Sequence, residues 1–597
     1  MKIHKNSFII TLTASLMLTF SHAEEKSFTL YKAQKPIVNS RGEYRYAVQL
    51  SPFYTDSLKE KADKAGYTLA DVHKVKPGDP NLELPEVRFA ADIVSNLIGR
   101  KPEQVRSWVA TEFEIYATPS DLEKISRAEG VISISELEGK EANIVLSQST
   151  TTAIGDTISG SEVVPWWLSY TNTLGNYAPP SNAARLYTIE GPLMSPISQD
   201  IVIGSNQSAS SSVDIWEYWH SAHVTGVIGA KQNNMLSRGV NPGQPISHKG
   251  YGIADTPVIN ALNEIVSYSD VARDWGVISM SLNNGAIQYP GNNTQEFSHA
   301  RGRAMAIASN YHLILQSAGN NNSNQCGWGY TFNDTALPWD AIMLVGGHDR
   351  LGNRSANDPV YFNHTTPPTV VTAEGSNFGP CVEIWAPSQQ ITSLRYNSSQ
   401  TQVLSGTSFS APIAAAIASR HGDYNTRPLQ REWFLKKNGQ YTGKYAEDGS
   451  AIYSTKWNSS PNSLKRHNIQ SAWSPQTNSG ISNLYNGSYN DMWNAGAPTG
   501  TVVLDLGTAK NVKFLRVTPR STVKMHEEFK IEFSVQSSTN STGSVIGTYQ
   551  DFMVPKHGDR APITLALSSD MNTRYVVLHA GNYGSWLAYS EIEVYGQ

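Results

Sequence analysis

Gly406-Thr407-Ser408-Phe409-Ser410-Ala411-Pro412 runs directly into the alanine-rich stretch Ile413-Ala414-Ala415-Ala416-Ile417-Ala418. The alanines predict a helix, and the turn residues Ser405-Gly406-Thr407 predict its start. The leading N–H groups of a helix have no partners within it and carry the positive end of its dipole. An oxygen gaining negative charge beside Ser408 would therefore meet donors already aimed at it. Pro412 falls in the first turn, where a missing N–H is tolerated. A capping serine on a buried helix is the plain alternative, and two other segments weigh against it.

The first is Trp219-His220-Ser221-Ala222-His223-Val224-Thr225-Gly226-Val227-Ile228-Gly229-Ala230. A His-x-x-His pair also suits a metal site or two core histidines, but zinc on a helix usually takes histidines four apart plus a third ligand. The small residues after His220 predict a helix packed closely on a sheet. A histidine at its mouth can take a serine's proton and return it. The second is His312-Leu313-Ile314-Leu315-Gln316-Ser317-Ala318-Gly319-Asn320, a short apolar strand that stops abruptly. Open α/β sheets bind ligands at the carboxyl ends of their strands, which is where Asn320 falls. Its amide is a candidate second donor to an oxyanion, against the alternative of an asparagine in a polar turn.

In this order, and with Ser279-Met280-Ser281-Leu282 between the first two, these motifs resemble the subtilisin-like serine peptidases, the subtilase family. The resemblance runs from about Val164 to about Gly439. It implies His220 as general base, Ser408 as nucleophile and Asn320 as oxyanion donor. The family expects an aspartate at the end of a hydrophobic strand about thirty residues before the base. Here Arg185-Leu186-Tyr187-Thr188-Ile189-Glu190-Gly191-Pro192 occupies that place, with Glu190 30 residues before His220. Glutamate keeps the charge but adds a methylene, so its strand must end about 1 Å further from the imidazole. The rivals are Asp200, which lacks the preceding apolar run, and Asp214, too close to His220 for a separate strand. Sedolisins share the Gly-Thr-Ser-x-x-x-Pro motif, but pair their serine with Glu and Asp on one helix and put aspartate at the oxyanion position; His220 and Asn320 argue against them.

The resemblance further implies a peptide substrate laid as an added strand along Ser279 to Asn284. Its side chain before the scissile bond would enter a slot between Ser281, Leu282, Asn283 and Ser317, Ala318, Gly319. Asn283 stands where the family usually has glycine, which narrows the slot. The two cysteines, Cys326 and Cys381, sit in segments resembling paired half-cystines of extracellular subtilases. If joined, they would stabilise the fold by about 4 kcal/mol on the chain-entropy model; two buried free thiols are the alternative.

The expected fold class is α/β, a doubly wound and mostly parallel sheet, because short apolar strands alternate with small-residue helices across residues 160–440. Residues 1–23 read as a signal peptide: Lys2 and Lys5, an apolar stretch from Phe8 to Phe20, and Ser21-His22-Ala23 for cleavage. This predicts a secreted protein without a transmembrane segment. Residues 24–145 read as an α+β unit and resemble the inhibitor-type propeptide of subtilases, with the Ser/Thr-rich run Ser147 to Ser159 as the expected cut; a stable uncleaved domain is the alternative. Residues 466–597 have strand patterning and resemble discoidin (factor 5/8 type C) and carbohydrate-binding modules. That implies an all-β jelly-roll sandwich binding glycans or cell surfaces. Trp493, Tyr583 and Trp586 are candidates for stacking on sugar, against a core role for Trp493 above all. No cofactor is expected; a structural calcium, common in such modules, would use Asn486, Ser488 and Glu591. A net charge of −4 without a long basic run argues against nucleic acid.

The favoured function is a secreted serine endopeptidase made as a zymogen, acting on protein or peptide substrates and inhibited by its own propeptide. The alternatives are a surface- or glycan-binding protein on an inactive protease scaffold, and a protease that cuts only its own propeptide.

Overall fold

The computed structural model describes residues 30–31, 36–67, 83–109, 111–137, 152–175, 181–193, 199–208, 215–252, 254–282, 300–324, 339–355, 359–362, 369–372, 375–396, 400–477, 479–520, 530–541, 545–555, 560–582 and 586–597. The expected signal peptide, Asp214, Asn283, Cys326, Tyr583 and residues 147–151 of the expected cleavage tract lie outside them. Thr152 to Ser159 are described, and Thr157–Ser159 pairs with Glu162–Val164 in a small hairpin.

Seven parallel strands form the centre of a sheet, side by side in the order Val202–Ser208, Pro245–Gly250, Leu186–Ile189, Gly276–Met280, His312–Ser317, Ile342–His348 and Val382–Pro387. Alternating side chains divide between two layers, as the two-residue period of a strand requires. Leu186, Val277, Leu313 and Leu315 face one cluster, which contains Val224, Val227 and Ile228 of the helix Ile215–Gly229 and most of the helix Thr407–Ser419. Tyr187, Ile189, Ile278, Met280 and Ile314 face the other, built with the helices Asp255–Ala272 and Ala300–Ala308. With helices on both faces, the sheet is doubly wound. The strand Leu186–Ile189 lies between later strands on either side, so chain order reverses around it and its carboxyl end opens at a switch point.

The stretch after Gly439 begins with the hairpin Gln440–Tyr445 and Ala451–Ser454. It extends the sheet by pairing Ser454 with Trp385.

The N-terminal unit is a five-stranded sheet ordered Leu30–Tyr31, Val131–Glu136, Tyr44–Leu50, Glu112–Ala117, Gln104–Arg106. The helices Pro85–Asn96 and Pro119–Ser126 share its apolar cluster. The second begins with Thr118 and Asp121 forming a reciprocal cap. Ala47, Trp108, Val109 and Leu137 join the cluster of the catalytic-region helices Asp255–Ala272 and Ala300–Ala308. A buried ionic network crosses the same seam. Arg303 lies 3.3 Å from Glu112, Arg106 lies 2.8 Å from Glu112 and also pairs with Glu114, and Asn260 accepts from Arg106 at 2.9 Å.

The C-terminal residues form an antiparallel eight-stranded assembly. Its long strands Thr499–Arg520 and Ile563–Asn582 change direction at register shifts and wrap one apolar core. This assembly packs directly on the α/β unit. Phe514 and Tyr595 meet Leu429 and Trp433, and Arg516 donates to the carbonyls of Ser309 at 2.9 Å and Asp340 at 3.2 Å. Arg427 lies 3.1 Å from Glu593.

Candidate active site

Glu190 follows the last residue of its strand and is fully buried. Its Oε2 lies 3.2 Å from His220 Nδ1, and its Oε1 accepts the Ser281 N–H at 2.7 Å. The turn behind it is fixed by the Gly191 carbonyl, which accepts from Ser221 Oγ at 2.7 Å and from His248 Nε2 at 3.0 Å. His248 Nδ1 is in turn 2.8 Å from Thr188 Oγ1. Burial pushes the His248 pKa down to about 4, so the ring is neutral and its Nε2–H donates to Gly191. A side chain at Gly191 would meet Glu217 Cβ at 2.5 Å, so glycine lets the helix bearing His220 approach the strand end.

His220 lies in the middle of the helix Ile215–Gly229. The Phe409 ring, beside Ser408, is centred 5.8 Å from its imidazole. His223, the second histidine of the pair, is a core residue: its Nε2 lies 3.0 Å from the Ile391 carbonyl and 3.1 Å from that of Gln402. Burial lowers its pKa to about 3. Among the described residues no group of three or more His, Cys, Asp or Glu side chains is arranged to hold a metal.

Ser408 occupies the first turn of the helix Thr407–Ser419 and its Oγ lies 3.4 Å from the Ser281 carbonyl, but Pro412, expected in that first turn, lies inside the helix. Ser281 therefore touches both Glu190 and Ser408 through its main chain. Asn320 follows the strand His312–Ser317. Its Oδ1 accepts from the Thr407 N–H at 2.8 Å and the Thr407 hydroxyl at 3.0 Å. This fixes which end of the amide is the carbonyl and leaves Nδ2 as the donor end.

The sequence reading missed Asn377, buried in Ser376-Asn377-Phe378-Gly379. Its Nδ2 donates to the Ala318 carbonyl at 2.8 Å, its Oδ1 accepts from the Asn321 N–H at 2.9 Å, and its own N–H donates to the Gly319 carbonyl at 2.8 Å. One asparagine thus holds the whole turn that presents Asn320. A turn-forming Ser-Asn-x-Gly was the only signal available. His248, Ser221 and Thr188 gave none.

Asp200, the rival orienter, is buried elsewhere, where its Oδ1 accepts from Asn233 at 2.7 Å. The expected strand-like docking of substrate along Ser279 to Asn284 needs correction over its described part. Ser279 is already paired on both sides, with Thr188 and Leu315, and Met280 with Gln316. Ser281 N–H serves Glu190, and the Leu282 carbonyl accepts from Gln316 at 3.2 Å. A buried central strand has no edge to offer. Ser317, Ala318 and Gly319 line the end of the neighbouring strand beside Ser281 and Leu282. Cys381 is disulfide-bonded.

In the C-terminal assembly, Trp493 is buried, stacked at 6.1 Å on Tyr589, and donates to the Thr477 carbonyl at 2.9 Å, whereas Trp586 is 57% exposed. The three calcium candidates lie near one another, but Glu591 accepts from Arg466 at 3.3 Å and from the Gly487 N–H at 3.0 Å. Asn486 is engaged with Asp491 and the Ser488 N–H. A carboxylate already facing a guanidinium does not fit a calcium ion.

A buried carboxylate, an imidazole, a serine at a helix start and an oriented amide converge here from separate elements. Residues 192–427 match the family described as the subtilase family. That stretch holds His220, Asn320 and Ser408. The chain is similar to an alkaline extracellular protease of Yarrowia lipolytica, 27% identical over 229 residues, covering 38% of this chain and 45% of that relative. The chain thus spans less than half the length of that relative. Among solved structures, a cold adapted subtilisin-like serine proteinase covers 48% of the chain and 92% of its own, with a TM-score of 0.34 and 20% identity. The CBM32 of AlyQ in complex with 4,5-unsaturated mannuronic acid covers 22% of the chain and 99% of its own, with a TM-score of 0.20 and 14% identity. Among the described residues no helix is long and apolar enough to cross a membrane.

Proposed function

We propose that the α/β unit is an active serine endopeptidase of the subtilase family that hydrolyses peptide bonds through an acyl-enzyme. The carrying observation is the 3.2 Å approach of Glu190 Oε2 to His220 Nδ1, from a carboxylate that Ser281 also holds. In the reaction, Ser408 Oγ attacks the peptide carbonyl while His220 takes its proton. Glu190 holds the ring and stabilises the imidazolium without itself becoming protonated. Asn320 Nδ2 and the helix-start N–H of Ser408 stabilise the tetrahedral oxyanion. His220 then gives the proton to the leaving amine, and a water, activated in the same way, releases the acyl group. The positioned carboxylate favours this reading over an inactive scaffold.

The N-terminal unit is read as an inhibitory propeptide, supported by its broad, charged and apolar seam with the catalytic-region helices. Secretion is supported by the disulfide at Cys381, a bond of oxidising compartments, and by the basic and apolar start of the sequence. A glycan or cell-surface ligand for the C-terminal assembly is supported by the exposed ring of Trp586.

A fluorophosphonate probe tests the central reading. Purified protein should be labelled once the N-terminal unit is removed, and labelling should vanish in Ser408→Ala. Absence of labelling in the unblocked wild type would overturn it. Digestion of added casein, alongside mass analysis of the protein itself, separates a general protease from one that cuts only its own chain.

A further inference from the structure

The loop between the strands Gln104–Arg106 and Glu112–Ala117 of the N-terminal unit is gripped from two directions. From the catalytic region, Asn263 Oδ1 accepts the Trp108 N–H at 3.0 Å and the Val109 N–H at 3.4 Å. From the C-terminal assembly, Arg560 Nη1 donates to the Trp108 carbonyl at 3.2 Å and Nη2 to Thr111 Oγ1 at 3.3 Å. Trp108, Val109, Thr111 and Arg560 are all buried.

Arg560 is itself held in place. Its N–H donates to the Pro519 carbonyl at 2.9 Å, its carbonyl accepts from Asn310 at 2.7 Å, and Nη1 also reaches Asn490 Oδ1 at 3.2 Å. Alongside, Tyr489 meets Tyr311 edge-on with ring centres 4.8 Å apart, in the same apolar cluster as Ala47, Val109 and Leu137. A buried guanidinium needs acceptors for its N–H groups. Here two of those acceptors belong to the N-terminal unit.

We infer that the C-terminal assembly is part of the docking surface for the N-terminal unit, with Arg560 as its anchor. The unit is therefore retained by three parts of the chain, and stays held by two of them after the connection between residues 137 and 160 is cut. The retention after cutting rests on reading the unit as a propeptide. The three-way contact does not, and it is what the experiment reads.

Hydrogen exchange is measured on the full chain in a Ser408→Ala background, where self-cleavage does not intervene. Arg560→Ala should make the amides of peptide 104–117 exchange about tenfold faster, the scale of losing a hydrogen bond to a charged donor. The strands Leu186–Ile189 and His312–Ser317 should be unchanged. Thr111→Val, made from the other side of the contact, should accelerate the same peptide by a smaller factor. The double variant should add nothing beyond Arg560→Ala, because the one bond that Thr111→Val removes is among those already lost with Arg560. Unchanged exchange at 104–117, strictly additive effects, or acceleration confined to the C-terminal strands would each overturn the inference. Failure of the peptidase reading would appear instead as absent fluorophosphonate labelling, and would leave this result untouched.

Discussion

Glu190 is the residue on which the proposed chemistry turns. Its two oxygens are divided, one toward His220 and one to the Ser281 N–H, so the carboxylate cannot swing away without losing a main-chain bond. Glu190→Gln keeps the shape and removes the charge that favours the imidazolium. It should lower kcat by about 10⁴-fold with KM little changed, the scale known for replacing the carboxylate behind a catalytic histidine. Steady-state kinetics on a peptide substrate check this; a loss below tenfold would remove Glu190 from the mechanism. The spacing and the apolar strand before Glu190 made it legible in the sequence. Its second partner did not show there, because a main-chain N–H leaves no mark in composition. For the same reason Asn377 went unread: its contacts run to backbone groups 54 to 59 residues away in the chain.

At the scale of elements, the helix Ile215–Gly229 must sit close enough to its neighbours for His220 to reach Glu190. Gly226 lets it lie against the strand Ile391–Leu394, since a Cβ there would meet Ser393 Oγ and Leu394. Gly226→Ala should therefore destabilise the fold by about 1–3 kcal/mol, the usual cost of overpacking a filled site. Urea unfolding followed by tryptophan fluorescence measures it; an unchanged midpoint would mean that the contact relaxes freely. The short apolar strands and small-residue helices were readable because their patterning is local. The hairpin Gln440–Tyr445 and Ala451–Ser454 was not, since its exposed tyrosines and glycine resemble a connector. Pairing at the sheet edge, supplied by the distant strand Val382–Pro387, makes it a strand pair.

For the whole molecule, burial of neutral histidines sets the response to acid. Desolvation lowers the pKa of His223 and His312 to about 3, and of His248 and His348 to about 4. Because the folded values are depressed, their contribution to stability is intact above the unfolded value near 6.5. It is lost as pH falls from there toward 4, because only the unfolded chain takes up these protons. Each can cost up to about 1.4 kcal/mol per pH unit in that window. Asp340 acts in the opposite sense: burial and nearby Glu432 raise its pKa to about 7, so its contribution is greatest in acid and fades as pH rises toward 7. Among the most strongly shifted groups, Glu591, raised to about 8, and Glu383, also raised by burial, act with Asp340, while His421, lowered to about 4, acts with the other four histidines. Five histidines outnumber three carboxyls, and the melting temperature should fall from about pH 6.5 to about pH 4.5. Calorimetry across that range checks it, and a flat profile would mean the rings are charged in the folded state.

The sequence alone indicated the order of the candidate reacting groups, through its resemblance to a known family, and the alternation of strand and helix, which local periodicity encodes. It also marked three compositional regions. Only the tertiary structure decided how those regions meet. Nothing in the neighbouring sequence marks Arg106, Arg303, Arg516 and Arg560 as interior residues, yet all are buried at seams between units. A guanidinium goes into the interior only where acceptors from distant segments converge on it, and that convergence is a property of the folded chain rather than of any stretch of residues.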